Sequence, residues 1–203
     1  SDGGGVQDMT LFCFDSYGLF ITTVTAEVIS TDVSNGTFQA QVPENTRTVH
    51  FLANQVMTDF EQDQFRSKSE AEVMALLEGS SGRMIYWARF ACDNSTDELK
   101  KQTIAQQMSG KGNSITMLRN HAKVSVNAPE DNGYFTVEGF AVYNTNAFGT
   151  VAPYHPEKGF NFTETDWLND DFVTIPANDA KLSDVTDVTT NMGQYIFESE
   201  NSA

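Results

Sequence analysis

The sequence predicts an all-β fold, a β-sandwich with one short helix, on three observations. Apolar residues gather in runs of strand length, such as Leu11-Phe12-Cys13-Phe14 and Met84-Ile85-Tyr86-Trp87. Turn residues recur between the runs: Asp15-Ser16-Tyr17-Gly18, Asn35-Gly36, Pro43-Glu44-Asn45 and Pro129-Glu130-Asp131-Asn132-Gly133. A convincing helix pattern occurs once, whereas a parallel α/β sheet needs a helix of about ten residues or more between successive strands.

Taken in order, residues 1–8 open with Ser1-Asp2-Gly3-Gly4-Gly5 and read as a flexible tether or cut end. Residues 9–203 are expected to form one sandwich domain with long loops. Met9 to Phe14 and Leu19 to Ile29 predict a first hairpin. Asn35-Gly36 predicts a tight turn with positive φ, leading into Thr37 to Val42, where Phe38, Ala40 and Val42 share one face. In the next strand Val49, Phe51 and Ala53 point one way, His50 and Leu52 the other.

The helix is expected to start at Ser69, with Glu72 completing a capping box and Val73, Met74, Leu76 and Leu77 forming a stripe that ends before Gly79. Met84 to Ala91 returns to strand character. Ser95 to Met108, with Ser95 and Glu98 as a capping pair, reads as a marginal helix or loop. Ile115 to Asn127 changes phase near Asn120, which predicts a bulge or bend, and Tyr134 to Tyr143 is expected to pair with it as a long hairpin. The last third is loop-rich, anchored by Trp167, Phe172 to Ile175 and Tyr195 to Phe197.

Charge removes several function classes. With 28 acidic against 12 basic residues, the net charge of −16 opposes approach to nucleic acid or an anionic bilayer. No run of 18 apolar residues occurs, so no segment is expected to span a membrane as a helix. Cys13 and Cys92 match no close-spaced metal or redox pattern; they read as two buried thiols, with one disulfide as the alternative.

Residues that could carry chemistry do not fall into working patterns. His50, His121 and His155 are scattered singly, without metal-ligand spacing. The acidic groups Glu130-Asp131-Asn132 and Asp166 to Asp171 supply oxygens for calcium but lack regular ligand spacing, and turn geometry or capping explains them. Glu44, Glu138 and Asp166, with Trp87 and Trp167, supply the residue types of a glycosidase without its spacing. No nucleophile elbow, phosphate-binding glycine loop or His-Glu-x-x-His pair is present. No catalytic, cofactor-binding or metal residue is assigned, and the chain is read as a structural protein rather than an enzyme.

Six segments in series carry a resemblance: Leu11-Phe12-Cys13-Phe14-Asp15 with Gly18, His50-Phe51-Leu52-Ala53-Asn54, and Met84-Ile85-Tyr86-Trp87 come first. Leu118-Arg119-Asn120-His121-Ala122-Lys123-Val124 follows, then Val142-Tyr143-Asn144 before Gly149-Thr150-Val151-Ala152-Pro153, and Tyr195-Ile196-Phe197-Glu198-Ser199-Glu200-Asn201. In this order they resemble the N-terminal domain of the Bacteroidales fimbrillins, the major fimbrial subunit family. The resemblance implies a transthyretin-like Greek-key sandwich from an exported lipoprotein of the outer membrane. It also implies a cell-surface fimbrium whose subunits join by strand addition to an open edge. Family members continue into a second sandwich about where this chain stops, and membrane attachment is expected only through a lipidated N-terminus outside this sequence. The alternative reading is a carbohydrate-binding surface module in which Trp167, Tyr154 or Phe148 stacks on sugar rings.

Overall fold

The structure, a computed structural model, describes residues 5–32, 35–55, 62–80, 84–127, 134–143, 145–146, 148–155, 157–162, 186–187 and 193–197. The turn at 129–133, the acidic run 166–171, Trp167, the anchor 172–175 and the first four residues of the tether lie outside the described residues.

The fold is all-β and antiparallel. Its centre is a five-stranded sheet ordered β2-β1-β5-β7-β8, from β1 (Met9–Phe14), β2 (Phe20–Thr25), β5 (Thr48–Ala53), β7 (Tyr86–Ala91) and β8 (Leu118–Arg119). Register places Leu11, Phe51 and Ala88 in one row and Phe12, His50 and Arg89 in the next. The rows face opposite sides of the sheet. One face holds Met9, Leu11, Cys13, Val49, Phe51 and Ala53; the other holds Phe12, Phe14, Leu52 and Trp87. Both faces are covered, so every residue of β1 and β5 is buried. That explains why these strands read as near-continuous apolar runs instead of clean alternation. Burying each large side chain such as Phe12 or Phe51 contributes roughly 1.5–3 kcal/mol.

The first hairpin forms where expected. Asp15 Oδ1 accepts the N–H groups of Tyr17 (2.8 Å) and Leu19 (3.0 Å), and Gly18 takes φ of 72°, which closes the turn. The second strand, however, ends at Thr25. The Ala26 N–H donates to Met9 O at 2.9 Å, and the chain leaves the sheet as β3 (Glu27–Thr31), paired only with β4 (Gly36–Gln39) among the described residues. Gly36 is not among the positive-φ glycines and begins β4. The turn before it is held by Asp32, whose N–H donates to Asn35 O (2.8 Å) and whose Oδ1 accepts the Asn35 N–H (2.6 Å). The Asn-Gly signal thus marked the right place through the wrong turn chemistry.

Ser69 caps α1 (Glu70–Ala75) as predicted: its hydroxyl accepts the Glu72 N–H, and Glu72 accepts the Ser69 N–H at 2.8 Å. Ser69→Ala is expected to destabilise the protein by about 1 kcal/mol, read by urea unfolding; no change would mean Glu72 alone holds this end. Val73, Met74 and Leu77 are buried, but Leu76 is 48% exposed, because the helix stops after Ala75 and Gly79 lies in strand β6 (Glu78–Ser80).

Residues 95–108 form two helices, α2 (Asp97–Lys101) and α3 (Ile104–Gly110). Thr96, not Ser95, caps the first, and a Thr103–Gln106 capping box starts the second. The expected bend at Asn120 is real and sends the flanking strands to different partners. β8 joins β7, while β9 (Ala122–Val124) pairs with β13 (Gln194–Ile196). The predicted hairpin between 115–127 and 134–143 does not form: β10 (Gly139–Phe140) pairs with β12 (Thr186–Asp187). The last pair joins β11 (Phe148–Thr150) to β6. Among the described residues no helix is long and apolar enough to cross a membrane.

Candidate functional site

Two features stand out: a polar cluster on one face of the sheet and a groove on the other. The cluster is built from three elements. His50 on β5 and Arg89 on β7 are direct cross-strand neighbours, and Glu70 enters from the first turn of α1. Trp87 Nε1 lies 3.0 Å from His50 Nδ1, and an indole N–H can only donate, so Nδ1 accepts. The imidazole proton therefore sits on Nε2 and is donated to Glu70 Oε2 at 2.8 Å. Arg89 forks onto the same carboxylate, Nε to Oε2 at 2.7 Å and Nη2 to Oε1 at 3.2 Å, and reaches Asn161 Oδ1 with Nη1 at 3.2 Å. Phe160 closes over the ring, edge to face at 4.7 Å from His50.

Burial pushes the His50 pKa down, outweighing the Glu70 carboxylate that favours the charged form. Burial of Glu70 raises its pKa, yet the hydrogen bonds from His50 and Arg89 win and hold it at about 2. His50 has no exposed surface and both ring nitrogens are occupied. The cluster ties α1 and the loop carrying Phe160 to the sheet.

The groove lies over the opposite face and has a volume of about 920 Å³. Met9, Leu11, Val49 and Phe51 form its floor. One wall is the 36–42 segment, with Phe38 against Phe51 at 6.0 Å; the other is Ile104 and Met108 of α3 with residues 113–117. Asn113, at φ 52°, donates its N–H to Met108 O and turns the chain out of the helix into that wall. Of the lining residues only Asp32 is charged, in a chain of net −16. β4 pairs with β3 on one side and with no strand on the other among the described residues, and its residues Gly36 to Gln39 line the groove.

Gly5 and Val6 line the groove as well and are held by Asn54. Asn54 sits at φ 63°, a conformation Asn tolerates, and is buried. Its Oδ1 accepts the Gln7 N–H (2.7 Å), and its Nδ2 donates to Gly5 O (2.8 Å) and Met84 O (3.1 Å). Sequence reading quoted Asn54 within a motif but not as a clamp; its place just after an apolar strand was the available signal.

The remaining candidates stay apart. Cys13 and Cys92 are free thiols; burial raises Cys13 to about 11, which keeps it protonated at neutral pH. His155 Nδ1 accepts the N–H groups of Glu157 and Lys158 and stabilises a turn. Glu44 and Glu138 are exposed. Among the described residues no group of three His, Cys, Asp or Glu side chains is arranged to hold a metal ion. Of the three loop aromatics, Tyr154 is half-buried with its ring edge to face at 5.2 Å from Phe160.

No protein-family model matches the chain, and no solved structure does. Two curated proteins are similar to it, both major fimbrium tip subunit FimE from Porphyromonas gingivalis, each 28% identical over 160 residues. The match covers 76% of this chain and 26% of each relative, so the chain spans about a quarter of the length of the curated relatives it matches.

Proposed function

We propose that this chain is a non-enzymatic structural part of a cell-surface fimbrium, one sandwich domain over residues 9–203 behind a short tether, that joins its neighbours by strand addition. The observation that carries the reading is a groove with Asp32 as its one charged lining residue, lined by β4, which pairs on one side only among the described residues. An incoming strand there gains backbone hydrogen bonds from β4 and buries alternate apolar side chains against the half-buried lining residues Phe38, Ala40, Ile115 and Met117. The similarity to fimbrium tip subunits supports a fimbrial setting, with other subunits as partners. Export as an outer-membrane lipoprotein and a transthyretin-like Greek key belong to the same proposal.

Ala40→Arg and Ala105→Trp test it, because both residues line the groove outside its buried floor. Each is expected to lower incorporation into surface fibres of the native cell at least about tenfold, a loss of about 1.4 kcal/mol, with the melting temperature unchanged. Fibres are isolated and the subunit quantified by immunoblot. Folded variants that enter fibres like the wild type would refute strand addition at this groove. Absence of the wild-type protein from any fibre would refute the fimbrial role itself.

A further inference from the structure

Two segments distant in sequence, Leu118 to Val124 and Tyr195 to Phe197, meet in one seat on the structure. Its hub is Asn120. The Asn120 N–H donates to Ile85 O (3.0 Å), its Oδ1 accepts the Ile85 N–H (3.0 Å), and its Nδ2 donates to Thr150 O (3.4 Å). These bonds fix which end of the amide is oxygen. His121 Nδ1, 2.6 Å from that oxygen, must then be the donor. The imidazole proton is on Nδ1, and Nε2 is left with a lone pair, buried and without a hydrogen-bond partner among the described residues.

Phe197 lies on this ring, centroid to centroid 4.0 Å, and is 4% exposed. Two glycines make room for it. A Cβ at Gly149 would stand 2.3 Å from Phe197 Cδ1, and one at Gly79 would stand 3.0 Å from Cε1. β13 pairs only with β9 among the described residues, over three residues, and a lone two-stranded ribbon is marginal in water. Its retention therefore depends on the Phe197 seat.

We propose that His121 is an acid-sensitive latch for β13: neutral, it seats Phe197 and holds the strand; protonated, it expels Phe197 and frees β13 together with the β9 edge. The central five-stranded sheet stays folded. Protonation would place a charge and an unaccepted N–H at the buried Nε2, a cost that the attraction of a cation to the Phe197 face offsets only in part. The ionisable residues on the surrounding elements are Arg119 on β8, Lys123 on β9, Glu78 on β6 and Tyr195 on β13; β11 has none. None is hydrogen-bonded to the ring, and Lys123 Nζ instead lies 6.0 Å from the Tyr195 centroid.

Burial lowers the His121 pKa from 6.5 to about 4. A lowered folded-state value means that docking is fully supported above pH 6.5 and weakens as pH falls from there toward 4. The limit of that weakening is about 300-fold in the docking equilibrium.

Hydrogen exchange of the whole chain, corrected for the intrinsic pH dependence and read by mass spectrometry, tests the latch. Between about pH 7 and about pH 4 the amides of β13 are expected to lose protection by about 100-fold while those of β1 and β5 keep theirs. His121→Gln is expected to flatten that dependence. Unchanged β13 protection, the same loss in H121Q, or simultaneous loss in β1 and β5 would each overturn the proposal. Should H121Q fail to fold, the wild-type ring titration by NMR decides: a midpoint near pH 4 supports the latch, and one at pH 6 or above, roughly the unperturbed value, overturns it.

Discussion

Replacing Glu70 with alanine is expected to cost about 3–5 kcal/mol of folding stability, the scale seen when one partner of a buried ionic cluster is removed. The carboxylate is the shared acceptor for His50 and Arg89, and their side chains are 0% and 15% exposed. Its loss leaves the His50 Nε2–H without its acceptor and the guanidinium without its counter-ion. Glu70→Gln keeps the shape and one acceptor, so its cost should be smaller, and the difference between the variants isolates the charge. The pKa agrees in size: a drop from 4.5 to about 2 corresponds to about 3 kcal/mol. Because the folded-state value is depressed, this contribution is complete above pH 4.5 and disappears as pH falls toward 2. Urea unfolding of E70A at neutral pH and at acid pH checks both statements. A cost below about 1 kcal/mol at neutral pH would mean that His50 and Arg89 find other partners.

This cluster also shows where sequence reading stops. The alternation Val49, Phe51, Ala53 against His50, Leu52 was legible, because a strand's period is two whatever it packs on. The Ser69–Glu72 capping box was legible because its partners are three residues apart. The convergence of His50, Trp87, Arg89 and Glu70 was not, since their hydrogen bonds span 19 to 37 residues and depend on strand order. His50 therefore looked like an isolated histidine in an apolar strand.

Strand pairing failed for the same reason. The 115–127 segment alternates like one half of a hairpin, but β9 found its partner about seventy residues later in β13. Local signals overrode nothing there; they named strands without naming neighbours. Gly36 erred differently, because an Asx turn at Asp32 served in place of the tight turn that Asn-Gly normally marks. The groove's position was not legible; the motif resemblance implied an open edge but no residues for it. Its walls come from segments near residues 40, 105 and 115, which no local pattern connects.

Gly149→Ala is expected to release β13 at neutral pH and to cost about 1–3 kcal/mol, the usual scale of overpacking a filled site. The added Cβ would stand 2.3, 2.7 and 2.9 Å from Phe197 Cδ1, Cγ and Cβ. A flexible tip could swing away, but Cβ moves only with the backbone, and Cγ moves only through a χ1 change that lifts the ring out of its seat. The backbone in question is the end of β13, held by three residue pairs to β9. The strand should yield before the glycine-bearing β11, which is braced through Thr150 O to Asn120 and pairs with β6. The substitution should therefore reproduce at neutral pH what protonation of His121 does in acid, without changing any ionisable group. Hydrogen exchange in G149A then separates steric from electrostatic release. β13 should be unprotected at every pH while β1 and β5 exchange as in the wild type. If β13 stays protected in G149A, Phe197 has room that the geometry denies it, and the seat is not what holds the strand.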